Sequence, residues 1–503
     1  MSNEMIYEGA SLANLQQRLR PMFERFLDDP LAPRTIVVVP GLSLDPDTLA
    51  KIDGVRHYEE RQLSMLMWLR LPNTCVIYVT SVPLDPVIID YYLSLLHGVP
   101  SAHARRRLTL LSASDASPVT LTRKILERPR LIERIRAAIG DPASAHLSVF
   151  NATGLEAALA IRLDIPIYAC DPALSYWGSK SGSREAFRAA GVALPDGVEN
   201  LRDMDDVAEA IAALKQADPA LRRCVVKHND GFSGEGNATF DFDETDDDHS
   251  AEWVRRELPG RLRCEARDEI YEHFSEKFQC MGGIVESWID GPDKRSPSVQ
   301  LRVNPRHELE LISTHDQTLG GATGQIFQGS TFPASEPYRR ELQEAGWRIG
   351  EVLRDRGVLG RFAIDFVSHR TPTGWRHVAI EINLRKGGTT LPFHMLQYLT
   401  AGRYDASEAR YITPMGQSRC YYATDTLQRP HYRRFIPEDL IDIMVSRRLL
   451  FDPISQRGVV FNLLGALSEY GKLGVVCIDE TVPLARAMFE QTVAVLDSEA
   501  NAT

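Results

Sequence analysis

Short apolar runs alternate with helix-like stretches between residues 34 and 170, and this alternation restricts the fold more than any other feature of the chain. The candidate strands are RTIVVVPG (34–41), TCVIYVTS (74–81), RLTLLSAS (107–114), HLSVFNAT (146–153) and IPIYAC (165–170). Continuous apolar strands separated by helices predict a mostly parallel sheet covered on both faces. The expected unit is Rossmann-like α/β, yet no G-x-G-x-x-G follows any of its strands, so we assign it no dinucleotide.

The composition is that of an ordinary globular protein. The length of 503 residues predicts about three domains, and the hydrophobic content of 44% supports large buried cores. A net charge of −11 at pH 7 argues against nucleic acid as the main partner. The seven cysteines show no CxxC pair, the N-terminal stretch lacks a signal pattern, and no apolar run reaches membrane-spanning length. We therefore expect a cytoplasmic protein that binds neither nucleic acid nor membrane.

The stretch HVAIEINLRKGGTT, residues 377–390, carries the first candidate chemistry. Its apolar run predicts a buried strand, and the side-chain period of two places Glu381 and Asn383 on the same face. A carboxylate and an amide oxygen at a strand end, followed by Arg385 and Lys386, suit a site for Mg²⁺ and phosphate. The alternative is a structural glutamate at a buried edge, paired with Arg385.

A predicted hairpin adds a third oxygen ligand to this pair. RFAIDFV and HVAIEIN flank a polar turn at residues 371–374, which is typical of two antiparallel neighbours. Asp365 then lies opposite the Glu381 and Asn383 pair, and the three side chains could hold one or two Mg²⁺ ions that bridge nucleotide phosphates. Without a metal or an arginine partner, buried carboxylates would be costly.

Two lysines are candidates for phosphate binding. Lys180 lies in the Gly/Ser-rich segment KSGSR, which we place in a turn before an amphipathic helix. Lys227 ends a predicted strand and precedes DGFSGEGNA, whose glycines allow backbone N–H groups to approach phosphate oxygens. The loop is not a P-loop, because the lysine precedes the glycines. A surface lysine and a glycine-rich hairpin turn are the alternatives.

A nucleobase site is suggested by MGGIVESWIDG, residues 281–291. The predicted strand ends in Glu286, followed by Trp288 and Ile289. An adenine could pack on Trp288 or Ile289 while Glu286 accepts hydrogen bonds from ribose hydroxyls. The alternative is a strand end with an exposed acid.

The order of these motifs resembles the ATP-grasp superfamily of carboxylate–amine ligases. The segments KSGSR, GFSGEGNA, SPSVQ, STHDQTLGG, GRFAIDF and EINLRKGGTT are similar to those of the pheganomycin peptide ligase family. The resemblance implies a Rossmann-like pre-ATP-grasp domain at 1–178, an ATP-grasp domain of two α+β subdomains at 179–400, and a small α+β C-terminal domain at 401–503. It covers nearly the whole chain.

The resemblance also implies a role for each matching residue. The cofactor would be ATP with Mg²⁺, two ions being expected and Mn²⁺ being a substitute. ATP would be bound by Lys180, Lys227, the lid residues Gly231, Phe232, Ser233, Gly234, Glu235, Gly236 and Asn237, and the adenine–ribose residues Glu286, Trp288 and Ile289. The metal would be held by Asp365, Glu381 and Asn383. Arg385 and Lys386 would hold a carboxylate or a phosphate.

One departure from the family pattern affects the phosphate site. In some ATP-grasp ligases a phosphate-binding arginine lies two residues before the metal aspartate, and that position is Ala363 in this sequence. Arg361 or Arg302 would have to take its place. His315, in STHDQ, is a candidate general base, with a structural histidine as the alternative.

The implied reaction joins a carboxylate to an amine through an acyl phosphate, with release of ADP and phosphate. The default substrates are a small-molecule carboxylate and an amine, each an amino acid or a peptide, and a homo-oligomer is compatible with the sequence. The alternatives are a kinase or carboxylase on the same scaffold, although no biotinyl AMKM motif is present, and a non-catalytic nucleotide-binding scaffold.

Overall fold

The computed structural model of the protein describes residues 9–44, 49–50, 52–231, 236–246, 248–266, 269–320 and 326–502. The strands are β1 Arg34–Val39, β2 Thr74–Thr80, β3 Leu108–Ser112, β4 Ala145–Val149, β5 Gly197–Leu201, β6 Arg223–His228, β7 Asn237–Asp241, β8 Arg263–Cys264, β9 Gly283–Ser287, β10 Ser296–Val303, β11 Leu309–Gly320, β12 Ile326–Phe332, β13 Gly360–Thr371, β14 Gly374–Asn383, β15 Arg403–Asp405, β16 Arg410–Ile412, β17 Cys420–Gln428, β18 Gly458–Asn462 and β19 Lys472–Asp479.

The α-helices are α1 Gly9–Gln16, α2 Leu19–Asp28, α3 Pro86–Ser94, α4 Ser101–Arg105, α5 Leu121–Leu126, α6 Pro129–Ile139, α7 Gly154–Leu163, α8 Lys180–Ala189, α9 Met204–Ala217, α10 Ala251–Arg261, α11 Tyr271–Met281, α12 Glu336–Asp355, α13 Thr390–Thr400, α14 Pro437–Ser446, α15 Ala466–Tyr470 and α16 Val482–Ala502. Four segments form 3₁₀ helices: Val55–Arg70, Pro142–Ser144, Pro172–Gly178 and Pro430–Arg434.

The N-terminal region contains the predicted parallel sheet. Its four strands are ordered β3-β2-β1-β4, and all three pairings are parallel. Two details differ from the sequence prediction. IPIYAC makes only an isolated parallel bridge between Leu147 and Ile167 instead of a fifth strand. The stretch HYEERQLSMLMWLR lies in the 3₁₀ helix Val55–Arg70 and not in an α-helix.

A five-stranded antiparallel sheet carries the predicted phosphate and nucleobase residues. Its order is β5-β9-β6-β7-β8. Helices α9, α10 and α11 cover one face and bury a core that includes Phe240, Phe274 and Phe278. In the sequence the glycine-rich segment lies between β6 and β7, and its residues 232–235 are outside the described residues.

The largest sheet has eight strands in the order β14-β13-β10-β11-β12-β17-β19-β18. This sheet combines strands from the middle of the chain with strands from its C-terminal part, because β12 pairs with β17. The domain boundary at residue 400 stays a prediction, and this sheet crosses it. A shared core joins apolar residues of β1 and β2 to α13 and to the C-terminal strands, which holds the N-terminal region against the large sheet.

Candidate active site

A cavity of about 440 Å³ lies where these three regions meet. The five-stranded sheet contributes Lys227 and Glu286, the eight-stranded sheet contributes Asp365 and Glu381, and the N-terminal region contributes Phe150. A larger groove of about 1040 Å³ lies beside helix α9 and contains none of the predicted site residues. The candidate site is therefore the smaller cavity, which combines apolar walls with convergent charged groups.

The predicted oxygen ligands come together on the hairpin β13–β14. Asp365 is the register partner of Glu381, and Asn383 lies two residues further on the same face. The Asn383 amide nitrogen donates to Asp365 Oδ2 and to Glu381 Oε1, both at 3.0 Å. The Gln317 amide donates to Asp365 Oδ1 at 2.7 Å. Two carboxylates and two amides thus form one connected polar cluster.

The two carboxylates have opposite electrostatic environments. Burial and the adjacent Glu381 carboxylate raise the pKa of Asp365 above its ordinary value. Burial also opposes ionisation of Glu381, yet the pKa of Glu381 lies below its ordinary value because the Lys180 ammonium contacts it and Asn383 donates to it. The cluster therefore favours one ionised carboxylate, and a second negative charge requires a further cation.

This donor set fits Mg²⁺ that arrives with a nucleotide. Carboxylate oxygens and an amide oxygen are hard ligands, and Asn383 presents its oxygen after a simple rotation of the amide. The described residues contain no cluster of three His, Cys, Asp or Glu side chains suited to a metal. Mg²⁺ is commonly bound by one or two carboxylates together with substrate phosphates, and Asp365 and Glu381 supply that number.

Lys180 is placed by the start of helix α8. Lys180 is the first residue of the helix and not part of a preceding turn, because the Ser179 hydroxyl caps the helix by accepting from the Gly182 N–H at 3.0 Å. A Cβ at Gly182 would lie 2.0 Å from the Tyr176 carbonyl oxygen, so this position requires glycine. Ser183 Oγ accepts from the Ile382 N–H at 3.0 Å and ties α8 to β14 beside Glu381.

Lys227 is held by a buried ion-pair network. Its ammonium donates to Glu286 Oε2 at 2.7 Å, and Arg184 donates to Glu286 Oε1 at 2.6 Å. Glu286 is only 2% exposed. The predicted hydrogen bonds from ribose hydroxyls to Glu286 therefore compete with two cations, and the main contact of this carboxylate is with Lys227 and Arg184.

The predicted nucleobase residues line the cavity. Trp288 and Ile289 are half-buried there. The Lys294 ammonium lies 4.3 Å from the centroid of the Trp288 ring, and burial lowers the pKa of Lys294. Of the predicted lid, Gly231 and Asn237 line the cavity and Gly236 adopts a positive φ of 83°. Phe232, Ser233, Gly234 and Glu235 lie outside the described residues.

Arg385 lies in the cavity, whereas its neighbour Lys386 points elsewhere. Arg385 lies two residues beyond the end of β14, and the charges of Asp365 and Glu381 act on its guanidinium. Lys386 instead donates to Gln62 Oε1 at 2.7 Å and to Ser148 Oγ at 2.8 Å. Burial lowers the pKa of Lys386 to about 7. These hydrogen bonds join the segment that follows β14 to the N-terminal region.

Three further predicted residues are absent from the walls formed by the described residues. Arg302 pairs with Glu310 at 3.0 Å, and Arg361 donates to Gln300 Oε1 at 3.2 Å. His315 is fully buried, its Nε2 is 2.8 Å from the Tyr421 hydroxyl, and burial lowers its pKa to about 3. The geometry does not support Arg302 or Arg361 as a phosphate ligand, or His315 as a general base.

The sequence prediction missed several residues that line the cavity. Arg61 and Asp425 form an ion pair at 2.9 Å there, beside Tyr58 and Phe150. Gln317 was missed as well, although the period of two along STHDQTLGG would have placed it on the face of β11 that carries His315. Arg61 and Asp425 carried no local signal, because each lies in a segment without a recognisable motif.

Comparison with known proteins decides the family. A family model described as IQCH-like, ATP-grasp matches residues 172–261 and 260–407, and a model described as PGM1 C-terminal domain matches residues 439–491. The L-propargylglycine–L-glutamate ligase of Streptantibioticus cattleyicolor is 32% identical over 460 residues, which cover 89% of this chain and 91% of that protein. The chain belongs to the ATP-grasp ligases. Like the family, it is an ATP-dependent carboxylate–amine ligase that forms C–N bonds.

More distant proteins also match most of this chain. IQ motif-containing protein H of Danio rerio is 22% identical over 546 residues, and the match covers 98% of this chain but only 51% of that protein. Biotin carboxylase of Campylobacter jejuni has a TM-score of 0.54 at 12% identity, covering 93% of this ligase and 92% of that chain. The ADP complex of PurK, an N5-carboxyaminoimidazole ribonucleotide synthetase, has a TM-score of 0.51 at 13% identity, covering 93% and 98%.

The predicted fold class is thereby confirmed, with a Rossmann-like sheet preceding an ATP-grasp fold. Among the described residues, no helix is long and apolar enough to cross a bilayer.

Proposed function

We propose that this ligase activates the carboxylate of an amino acid as an acyl phosphate and transfers the acyl group to the amine of a second amino acid or a peptide. The observation that carries the proposal is the cluster of Asp365, Glu381 and Asn383 beside Lys180 and Arg385 in one cavity. The name of the Streptantibioticus relative describes the joining of two amino acids, which supports this substrate class.

ATP would lie between the two antiparallel sheets. Trp288 and Ile289 would pack against the adenine, and Lys180 and Lys227 would contact the phosphates. Lys180 would exchange its contact with Glu381 for a phosphate oxygen. Glu286 would keep Lys227 extended toward the nucleotide, because a buried lysine held by a carboxylate loses little freedom when it binds a phosphate.

Asp365, Glu381 and Asn383 would hold Mg²⁺, with two ions proposed and Mn²⁺ as a substitute. When bound, the metal supplies charge neutralisation for the phosphoryl oxygens and orients them. Protein residues would position the substrate and exclude water. Arg385 would hold the substrate carboxylate in line with the γ-phosphorus, and the walls of the cavity would exclude water from the acyl phosphate.

The reaction takes two chemical steps and requires no covalent enzyme intermediate. A carboxylate oxygen attacks the γ-phosphorus, and the bond from phosphorus to the bridging oxygen breaks, so ADP leaves with its electron pair. The amine nitrogen then attacks the acyl carbon, the bond from that carbon to the phosphate oxygen breaks, and the departing phosphate takes the amine proton. Such chemistry depends on positioning and charge stabilisation.

The direct test is product analysis with a mixed panel of amino acids and short peptides, Mg²⁺ and ATP. Mass spectrometry should find an amide product whose amount equals the ADP and phosphate released. A stable phosphorylated product would instead identify a kinase, and the absence of ADP with every acceptor would identify a non-catalytic scaffold.

A further inference from the structure

The wall of the cavity next to Arg385 contains a charged pair that the reaction outlined above does not use. Arg61 Nη2 lies 2.9 Å from Asp425 Oδ2, and the two side chains are only 8% and 14% exposed. Both line the cavity. Removing two charges from bulk water is costly, so a buried pair that still faces a cavity is a candidate for ligand recognition.

Each member of the pair is aimed at the cavity by its local structure. Arg61 extends from the 3₁₀ helix Val55–Arg70, and its guanidinium lies 5.0 Å from the centroid of the Tyr58 ring and 5.9 Å from that of Phe150. Asp425 lies at an irregularity of β17, where the register with β19 shifts between Thr424 and Leu427. Such bulges redirect side chains, and this one points Asp425 toward Arg61.

Arg61 and Arg385 flank the same aromatic ring. The Arg385 guanidinium also lies 5.9 Å from the Phe150 centroid, and the positive charge of Arg61 is felt at Arg385. Arg385 in turn is close to the carboxylates of Asp365 and Glu381. A substrate carboxylate placed between the two arginines would therefore lie next to the proposed metal and phosphate site.

This arrangement matches the charges of a free α-amino acid. Two arginines can bind the carboxylate bidentately, and Asp425 can accept from an ammonium one carbon away. Gly387, which also lines the cavity, faces open space, because a Cβ at this position would meet no atom of the described residues within 4 Å. An N-acylated amino acid or a peptide offers no ammonium beside the carboxylate, so Asp425 would be left facing a neutral amide.

We infer that Asp425, with Arg61 and Arg385, selects a free α-amino acid as the substrate whose carboxylate is activated. This inference rests on the proposed function and adds that the activated amino acid must carry a free α-amino group. A purely structural pair, which only joins the 3₁₀ helix to β17, would affect stability without affecting the choice between free and N-acylated substrates.

The test traps the activated carboxylate with hydroxylamine, so no amine substrate has to be known. The probes are the standard L-amino acids, their N-acetyl derivatives and a set of dipeptides, each supplied with Mg²⁺ and ATP. We expect hydroxamate from at least one free amino acid, with kcat/KM higher by about tenfold or more than for its N-acetyl derivative. Dipeptides should behave like the N-acetyl derivatives.

Substitution of Asp425 then tests the role of its carboxylate. Asp425→Asn should lower kcat/KM for the free amino acid by about tenfold or more and leave the N-acetyl derivative nearly unchanged, so selectivity is lost. Asp425→Glu should retain the selectivity. The control is Asp479→Asn. Asp479 is a buried carboxylate at the end of the neighbouring strand β19, it pairs with Arg457 at 2.8 Å, and it does not line the cavity. The Asp479→Asn protein should keep its preference for the free amino acid over the N-acetyl derivative even if its fold is less stable.

The outcomes separate the two proposals. Equal activation of free and N-acetylated amino acids by the unmodified protein would overturn the inference and leave the ligase reaction intact. An equal loss toward both probes in Asp425→Asn would also overturn it, because that result marks a structural pair. Failure of every probe to give hydroxamate or ADP would overturn the proposed function itself.

Discussion

The two sides of the cavity are assembled in different ways. The side proposed to bind the metal consists of Asp365, Glu381 and Asn383 on a single hairpin, where strand register alone sets their spacing. The side proposed to recognise the substrate consists of Arg61 and Asp425, which come from the first and last thirds of the chain and meet only through tertiary packing. In this proposed assignment, local strand register places the groups for phosphoryl transfer, whereas the packing of three regions places the groups for substrate choice.

The largest expected effect tests the hairpin side. Glu381→Gln removes one of the two carboxylates proposed for Mg²⁺, and loss of several kcal/mol of charge stabilisation corresponds to roughly a 10³-fold or greater fall in ADP release. The fold should be retained, as judged by circular dichroism and thermal unfolding. The same change at the exposed Glu341, on helix α12, is the control. Normal turnover by Glu381→Gln would refute the assigned metal site.

The next prediction compares substitutions at the adjacent residues Arg385 and Lys386. Arg385→Met should lower kcat by about 10²–10³-fold, because a positioned cation that stabilises developing charge is lost. Lys386→Met should leave kcat nearly unchanged but destabilise the fold by about 1–3 kcal/mol, since Gln62 and Ser148 lose a buried partner. Steady-state kinetics and urea unfolding of both variants measure the contrast. A reversed pattern would show that Lys386 faces the substrate.

The smallest effect on activity concerns His315, which lies behind the cavity. Removal of a general base costs about 10²–10⁴-fold in kcat, whereas we expect His315→Gln to leave kcat nearly unchanged. Its effect should appear in acid stability. The exposed His103 gives the matched control, His103→Gln. A large loss of kcat in His315→Gln, with the fold intact, would restore the histidine as a catalytic candidate.

The sign of that acid effect follows from the pKa. Burial holds the pKa of His315 at about 3 in the folded state, while an unfolded chain has a histidine pKa of about 6.5. Between these values only the unfolded state binds the proton, so stability is lost as the pH falls below about 6.5. The free energy of unfolding in urea should therefore depend less steeply on pH between 6 and 4.5 in His315→Gln than in the unmodified protein.

Local sequence patterns predicted the elements that carry the site. Alternation of apolar residues located the parallel sheet, and the polar turn at residues 371–374 located the hairpin that pairs Asp365 with Glu381. The same patterns failed for IPIYAC and for the stretch around Arg61. A short apolar run forms a strand only if a neighbouring strand offers its edge, and an amphipathic stretch can adopt 3₁₀ geometry when packing favours it.

The sequence by itself determined which side chains share a face of a strand, because the side-chain period of two is a property of the backbone. It therefore predicted that Glu381 and Asn383 share a face with Asp365 opposite them on the paired strand, and that Lys227 leads into a glycine-rich segment. Only the tertiary structure decided that Arg61 meets Asp425, that Glu286 holds Lys227 and Arg184, and that Arg302, Arg361, His315 and Lys386 lie outside the cavity. Those outcomes depend on the packing of distant segments, which no local period encodes.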